Sequence, residues 1–367
     1  MDAVWGYYDQ WLDDPRQQVL WAGALLGLCF GVLAQSSGFC LLRGMVEAVQ
    51  RRRGQKLRLF IMALLVAILG TQGLQAQMGI DLSASLYVQS QPAWPLLVLG
   101  GLLFGYGMAL ANACGARSLV LLGSGHLRAL VTLGCLALAA GMTLAGILAP
   151  LRLSLENLTR SSLSVTTLPE GLAAITGLSL SLSLGVLLTS LTAVLLWWLW
   201  RCPGWRATPS QWLIGAAIGA LIPAGWWITG VLGADDFDPV RLASLTFVAP
   251  VVDTQQYLQL ATGMRLDFGI VVIMGVFGGA LLSALWRRDF HWQGFDSLAQ
   301  LQRSIGGGLL MGIGGVLALG CSIGQGLSGL STLAPGSLVV LFSILAGIWL
   351  RLQLSAVMTD PTPTVNA

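Results

Sequence analysis

Long apolar runs, each near the roughly 20 residues a helix needs to cross a bilayer, recur about nine times along this chain. They lie near 17–36, 57–79, 94–114, 126–149, 179–200, 211–231, 266–286, 305–321 and 336–353. A soluble fold has no use for so many. Over its 367 residues the chain is 55% hydrophobic and only 10% charged, with a mean hydropathy of +0.77, far more apolar than filling a core requires. The expected fold class is all-α, a polytopic membrane protein of about nine spanning helices. No small-residue cleavage site follows the first run, and only Arg16 precedes it as a basic residue, beside Asp13 and Asp14. That run is therefore expected to be a retained helix rather than a secretory signal.

The basic residues set a sidedness. With the loops of nine spans alternating, every Lys and Arg falls on one face except Arg16, Arg152, Arg160, Arg241 and Arg265, which share the other with Asp81, Asp235, Asp236 and Asp238. By the positive-inside rule the amino terminus faces out and the carboxyl terminus faces the cytoplasm. The net charge of +3 and the run from Arg51 to Lys56 then describe an anchoring loop at the lipid surface, not a nucleic-acid site.

An internal repeat organises the spans. Gly100 to Cys114 (GGLLFGYGMALANAC) overlays Gly307 to Cys321 (GGLLMGIGGVLALGC) without a gap at an offset of 207. More weakly, Gly27 and Gly31 ahead of Gly38-Phe39-Cys40 match Gly215 and Gly219 ahead of Trp226-Trp227-Ile228. Each pair is five spans apart, and an odd separation inverts the orientation, as in many transporters. The expected organisation is a first repeat over 1–149 (spans one to four), a connector with span five over 150–205, and a second repeat over 206–367 (spans six to nine). The glycines four apart in these runs read as seams for close helix packing. Those around the cysteines differ, because SSGFC and CSIGQGLSG lack a regular apolar face. Backbone that leaves a helix at membrane depth must be buried in protein or line a cavity, so short re-entrant half-helices are expected near 40–50, 115–124, 242–261 and 322–331. Pro223, Pro250 and Pro335 are expected to interrupt the runs as well.

Six cysteines are present. Cys29, Cys135 and Cys202 sit within or at the ends of ordinary apolar runs and read as small hydrophobes. Cys40, Cys114 and Cys321 each stand where an apolar helix gives way to a Gly/Ser-rich break, with Ile228 in the fourth repeat-equivalent position. A thiol is a weak donor with a polarizable sulfur, able to hold a soft solute loosely in a pathway. Gly38, Gly115, Gly320 and Gly324 expose backbone N–H groups, helix starts present positive dipole ends to an anion, and Ser36, Ser37, Asn112, Ser322 and Gln325 offer further hydrogen bonds. No CxxC or Cys/His spacing points to zinc, no Walker motif to ATP, and neither His126 nor His291 stands beside a cysteine as a base. No metal, cofactor or catalytic residue is expected. Glu47, Asp253 and Asp267 lie near span ends and read as caps or interface residues rather than a proton relay.

At these same residues the chain resembles a known family. SSGFCLLRG, GGLLFGYGMALANACG and GGLLMGIGGVLALGCSIGQGL are similar to the characteristic stretches of the YeeE/YedE family of bacterial inner-membrane transporters, over about Leu25 to Leu350. The resemblance implies uptake of thiosulfate, an hourglass of spanning and re-entrant helices, and a pathway through three cysteines, here Cys40, Cys114 and Cys321. Cys114 would be the narrowest point, and a small cytoplasmic sulfur-carrier protein a partner. The chain departs from the pattern beside each thiol: Asn112-Ala113 and Leu319 replace glycines, Arg117 stands where glycine is common, and Gly38 replaces a residue that can be basic. Arg117, an inside-facing base at a helix end, reads as an orientation anchor ahead of the alternative, an anion contact. Transport of a selenium compound, or a membrane sulfurtransferase working through a persulfide, are the alternatives.

Overall fold

The computed structural model describes residues 14–50, 54–162, 165–201, 209–235 and 240–357, and among these residues it holds helices and no strand. In chain order the helices are α1 (Pro15–Ser37), α2 (Leu41–Gln50), α3 (Gln55–Met78), α4 (Trp94–Ala111), α5 (Gly115–Gly123), α6 (Leu127–Leu144), α7 (Ala149–Thr159), α8 (Leu168–Thr176), α9 (Leu180–Arg201), α10 (Pro209–Trp227), α11 (Ala249–Leu260), α12 (Phe268–Trp286), α13 (Leu298–Leu317) and α14 (Pro335–Val357). π-Helical turns follow α10 at Ile228–Leu232 and precede α14 at Gly324–Gly329. Arg51 to Arg53, Cys202, Arg206, Asp236 and Asp238 lie outside the described residues.

Among the described residues, eight helical stretches are long and apolar enough to cross a bilayer, which makes the chain a multi-pass membrane protein. Two of the eight, Pro15–Val49 and Trp94–Gly123, are bent pairs, α1 with α2 and α4 with α5. The run expected near 305–321 lies on α13, whose first turns carry Gln300, Gln302 and Arg303 and whose remainder is rich in glycine. It is less apolar than the other spans because it packs on both sides against protein, between α4 and α6.

All four expected half-helix regions are short elements: α2, α5, α11 and the π turn with the residues after it. Of the three prolines, two start helices, Pro250 in α11 and Pro335 in α14. Pro223 departs from expectation. It lies inside α10, which continues through it and changes to π only at Ile228. Its ring fits against Gly70 of α3, where an added Cβ would stand 2.8 Å from the proline Cγ.

Close helix approach rests on glycine. Cβ atoms at Gly27 and Gly31 of α1 would fall onto the Val272 and Val276 carbonyls of α12, and at Gly215 and Gly219 of α10 onto the Leu59 and Ala63 carbonyls of α3. Gly101 and Gly105 of α4 meet Val340 and Ile344 of α14, while Gly308 and Gly312 of α13 meet Thr132 and Leu136 of α6. At the centre α4 and α13 cross with Gly100 against the Gly314 carbonyl and Gly307 against the Gly107 carbonyl. Without a hydrophobic drive between helices in lipid, such backbone-to-backbone packing is the main attraction available. Cys135 sits on one of these seams, its Cβ 2.8 Å from where a side chain at Gly308 would begin. α9 stands apart at the periphery against α8 and α3, with only Ser183 and Leu199 buried.

Candidate functional site: three helix breaks

Each of the three singled-out cysteines follows the end of a long helix. α1 closes at Gly38, whose φ of +64° and N–H bond to the Ala34 carbonyl (3.0 Å) turn the chain out of the helix; Cys40 comes two residues later. α4 closes at Asn112 (φ +57°) ahead of Cys114, and α13 gives way at Leu319 (φ +57°) ahead of Cys321. Left-handed backbone favours glycine and tolerates asparagine. The departures from glycine at 112 and 319 therefore leave the bend in place, held in a conformation that Leu319 adopts at a cost.

The thiols then act as caps. Cys114 Sγ accepts the Arg117 N–H at 3.4 Å at the start of α5, and Cys321 Sγ accepts the Gly324 N–H at 3.2 Å ahead of the π turn. Cys40 receives a backbone bond from Arg43 at the start of α2. Each sulfur thus serves the N–H three residues on, where a Ser or Asp oxygen would ordinarily sit. Cys40 and Cys114 also hydrogen-bond each other, and Cys321 is close enough to act electrostatically on Cys114. All three are buried, and none is in a disulfide. In the second half the chain after Ile228 continues through the π turn, and the short helix begins only at Ala249 with Val248 at its cap. The Phe247 N–H, just ahead of that helix, reaches Cys321.

Two spaces flank the thiols. A vestibule of about 840 Å³ opens beside Cys40 and Cys114, lined by Ser37, Gly38, Arg43, Asn112, Arg117 and Arg128 among others. On the far side Tyr87, Trp94, Leu319, Gln325 and Ser337 enclose about 10 Å³, room for one water. That side of Cys321 is therefore closely packed.

The packed side is stitched by neutral hydrogen bonds. Gln325 Nε2 donates to the Ala318 carbonyl (2.6 Å), Ser328 Oγ to the Leu245 carbonyl (2.7 Å) and Ser331 Oγ to the Ser328 carbonyl (2.7 Å). From α10 Trp226 Nε1 donates to Ser331 Oγ (3.1 Å), and from α3 Gln72 Nε2 donates to the Ser331 carbonyl (2.7 Å). Tyr87 stacks edge-on against Trp226 and hydrogen-bonds Thr246. These partners satisfy irregular backbone at membrane depth. Gly324 permits the fit, since a Cβ there would stand 2.7 Å from Thr246 Oγ1.

The expected supporting residues fall into place unevenly. Gly38 and Asn112 line the vestibule, Gly115 is buried where a Cβ would make ordinary contact with Leu136 and Phe247, and Gly320, Ser322 and Gly324 are buried around Cys321. Ser36 and Ser37 do not offer free donors, because both hydroxyls donate to the Leu33 carbonyl, at 3.0 and 2.7 Å. Among the acids, Asp267 caps α12 by accepting the Phe268 N–H (2.6 Å), and Glu47 pairs with Lys56 (3.2 Å). Gln72, Tyr87, Trp226 and Thr246 were missed, and nothing in the local sequence marks them as partners of a segment 80 to 250 residues away.

Arg117 differs most from its expected place. An orientation anchor extends to the lipid surface, whereas this guanidinium is folded inward on α5 with 7% of the residue exposed.

Comparison with known proteins places this arrangement. The chain is 22% identical over 350 residues to the thiosulfate transporter TsuA of Escherichia coli strain K12, covering 89% of this chain and 92% of that protein. It is 28% identical over 344 residues to the thiosulfate transporter TsuA of Spirochaeta thermophila, covering 90% and 97%. The family model for sulphur transport matches residues 36–350, and the chain belongs to that family of membrane transporters, identified above as YeeE/YedE.

Proposed function

We propose that this protein carries thiosulfate, or a closely related sulfur-containing anion, into the cytoplasm across the bacterial inner membrane, along a path through Cys40, Cys114 and Cys321. The observation that carries the reading is the meeting of three buried thiols delivered by three helix breaks, with open space lined by polar residues on one side. Thiol sulfurs give a polarizable solute weak contacts that it can leave again. Cys114, bonded to Cys40 and next to Cys321, is the step on which passage depends most.

The vestibule side is the cytoplasmic one in this reading, because Arg43, Lys56, Arg117 and Arg128 gather there; the amino terminus is periplasmic. The coordinates then correspond to a state open inward and shut outward. The two halves form an inverted repeat, 1–149 and 206–367, joined by 150–205. The exchange of contacts supports it: Gly101 and Gly105 on α14 are answered by Gly308 and Gly312 on α6, and Gly100 on Gly314 by Gly307 on Gly107. An open cationic basin also suits a small sulfur-carrier protein receiving the solute.

Uptake of labelled thiosulfate by cells lacking other sulfur importers tests the function. Expression of this chain is expected to restore uptake, and Cys114→Ala to abolish it. Protein present in the membrane that moves no thiosulfate overturns the substrate.

A further inference from the structure

We propose that Arg117 forms a second anion subsite, at the vestibule mouth just past the thiols, which holds divalent sulfur oxyanions by their oxygens and charge rather than by a sulfane sulfur. Its biological occupant rests on the thiosulfate reading above.

Arg117 is the third residue of the nine-residue helix α5 and its N–H caps on Cys114 Sγ. Residues at i, i+4 and i+7 share a helix face, and here Arg117, Leu121 and Ser124 all line the vestibule. Arg117 is the innermost base on that wall, one helical turn from the bonded Cys40–Cys114 pair.

Its charge is uncompensated. Arg117 Nε and Nη1 are sealed from solvent without a hydrogen-bond partner. No carboxylate among the described residues pairs with it: Glu47 is taken by Lys56, Asp289 lies 3.6 Å from Arg287, and Asp296 faces Arg128. Besides the two thiols Cys40 and Cys114, the groups that act on its charge are the cations Arg43 and Arg128, which repel it, and His126 borders the same space. A buried charge is tolerated when it is paired, so the missing partner is an anion supplied from the vestibule. A guanidinium presents a planar fork of N–H donors that matches two oxygens of a tetrahedral oxyanion. Flanking cations favour a divalent ion over chloride.

The subsite therefore differs from the thiols in what it reads. Sulfate, which has the oxygens and charge but no sulfane sulfur, is expected to occupy it. An ion leaving Cys114 meets Arg117 next, so the residue gives the solute a place to go on the cytoplasmic side.

The test uses purified full-length protein in detergent, titrated with sodium thiosulfate and with sodium sulfate at constant ionic strength in chloride, by isothermal calorimetry. Both anions are expected to bind one site competitively. Arg117→Gln is expected to weaken both by about tenfold or more, Arg117→Lys by less, and Cys29→Ala not at all. Equal binding by Arg117→Gln and the unmodified protein, or no anion binding above chloride, overturns the subsite. Should Arg117→Gln fail to fold, Arg117→Lys and the competition between the two anions in the unmodified protein decide it, and sulfate that does not compete overturns it. Uptake separates this from the substrate reading. Arg117-dependent sulfate binding in a protein that imports no thiosulfate leaves the subsite standing and removes the substrate assignment; uptake with Arg117-independent binding does the reverse.

Discussion

The break at Asn112–Cys114 and the break at Leu319–Cys321 use the same backbone and end in opposite surroundings. Both turn on a left-handed residue with φ of +57° and both end in a sulfur that accepts the N–H three residues on. After Cys114, however, Gly115-Ala116-Arg117 opens a helix along a wet, cationic wall. After Cys321, Ser322-Ile323-Gly324 enters a wholly buried π turn that, with Ser331 just beyond it, is tied to α10, α3 and Leu245 by neutral hydrogen bonds. One device thus places a buried thiol at the end of a long helix, and the residues just after it decide whether a vestibule wall or a closely packed turn follows.

The largest effects should come from the packing the two breaks share. Gly105→Val and Gly312→Val each drive a branched side chain into a backbone carbonyl, of Ile344 and Leu136, and each should cost about 3 kcal/mol in unfolding measurements or eliminate folded protein. A large loss in one and none in the other would break the likeness of the halves. Next comes the packed turn. Trp226→Phe removes one of the two hydrogen bonds of Ser331 Oγ and leaves space beside the smaller ring, which together should cost about 1–3 kcal/mol.

A smaller effect sharpens the comparison at the bends. Asn112→Val, a branched residue in left-handed backbone, should cost about 1–2 kcal/mol, whereas Asn112→Gly should change stability by less than about 1 kcal/mol; thermal unfolding of the two variants checks the order. The smallest concerns a loop away from both breaks. Asp81 accepts the Ser83 N–H at 3.0 Å, and bonds from the Ser83 hydroxyl and N–H hold its carboxyl below the usual range. A depressed carboxylate contributes stability at neutral pH that is lost as pH falls through its folded value. The unmodified protein should therefore lose slightly more stability than Asp81→Asn between pH 7 and below about pH 4, read as a difference in melting midpoints.

Much of the fold was legible in the sequence. Apolar length marked the spans, and the loss of a regular apolar face marked α2, α5, α11 and the π turn, because lipid contact imposes that face residue by residue. The repeated glycines likewise marked the seams that the helices use. The site was legible at its cysteines and not in its surroundings. Arg117 at a helix end reads the same whether it reaches for lipid or folds inward; the bend at Asn112 decides, and that bend is a tertiary fact. The Ser36 and Ser37 hydroxyls look like free donors until the helix carbonyl of Leu33 takes them. Pro223 looks like a break until Gly70 accommodates its ring. Trp226, Gln72 and Tyr87 act across long sequence separations and carry no local mark of it.

The central claim is a thiol-lined path for thiosulfate, and flux into proteoliposomes containing only this chain tests it most directly. Labelled thiosulfate should enter vesicles carrying the unmodified protein and the Cys29→Ala variant alike, while Cys114→Ala vesicles with equal protein stay near the protein-free leak. Equal entry through Cys114→Ala would contradict the account.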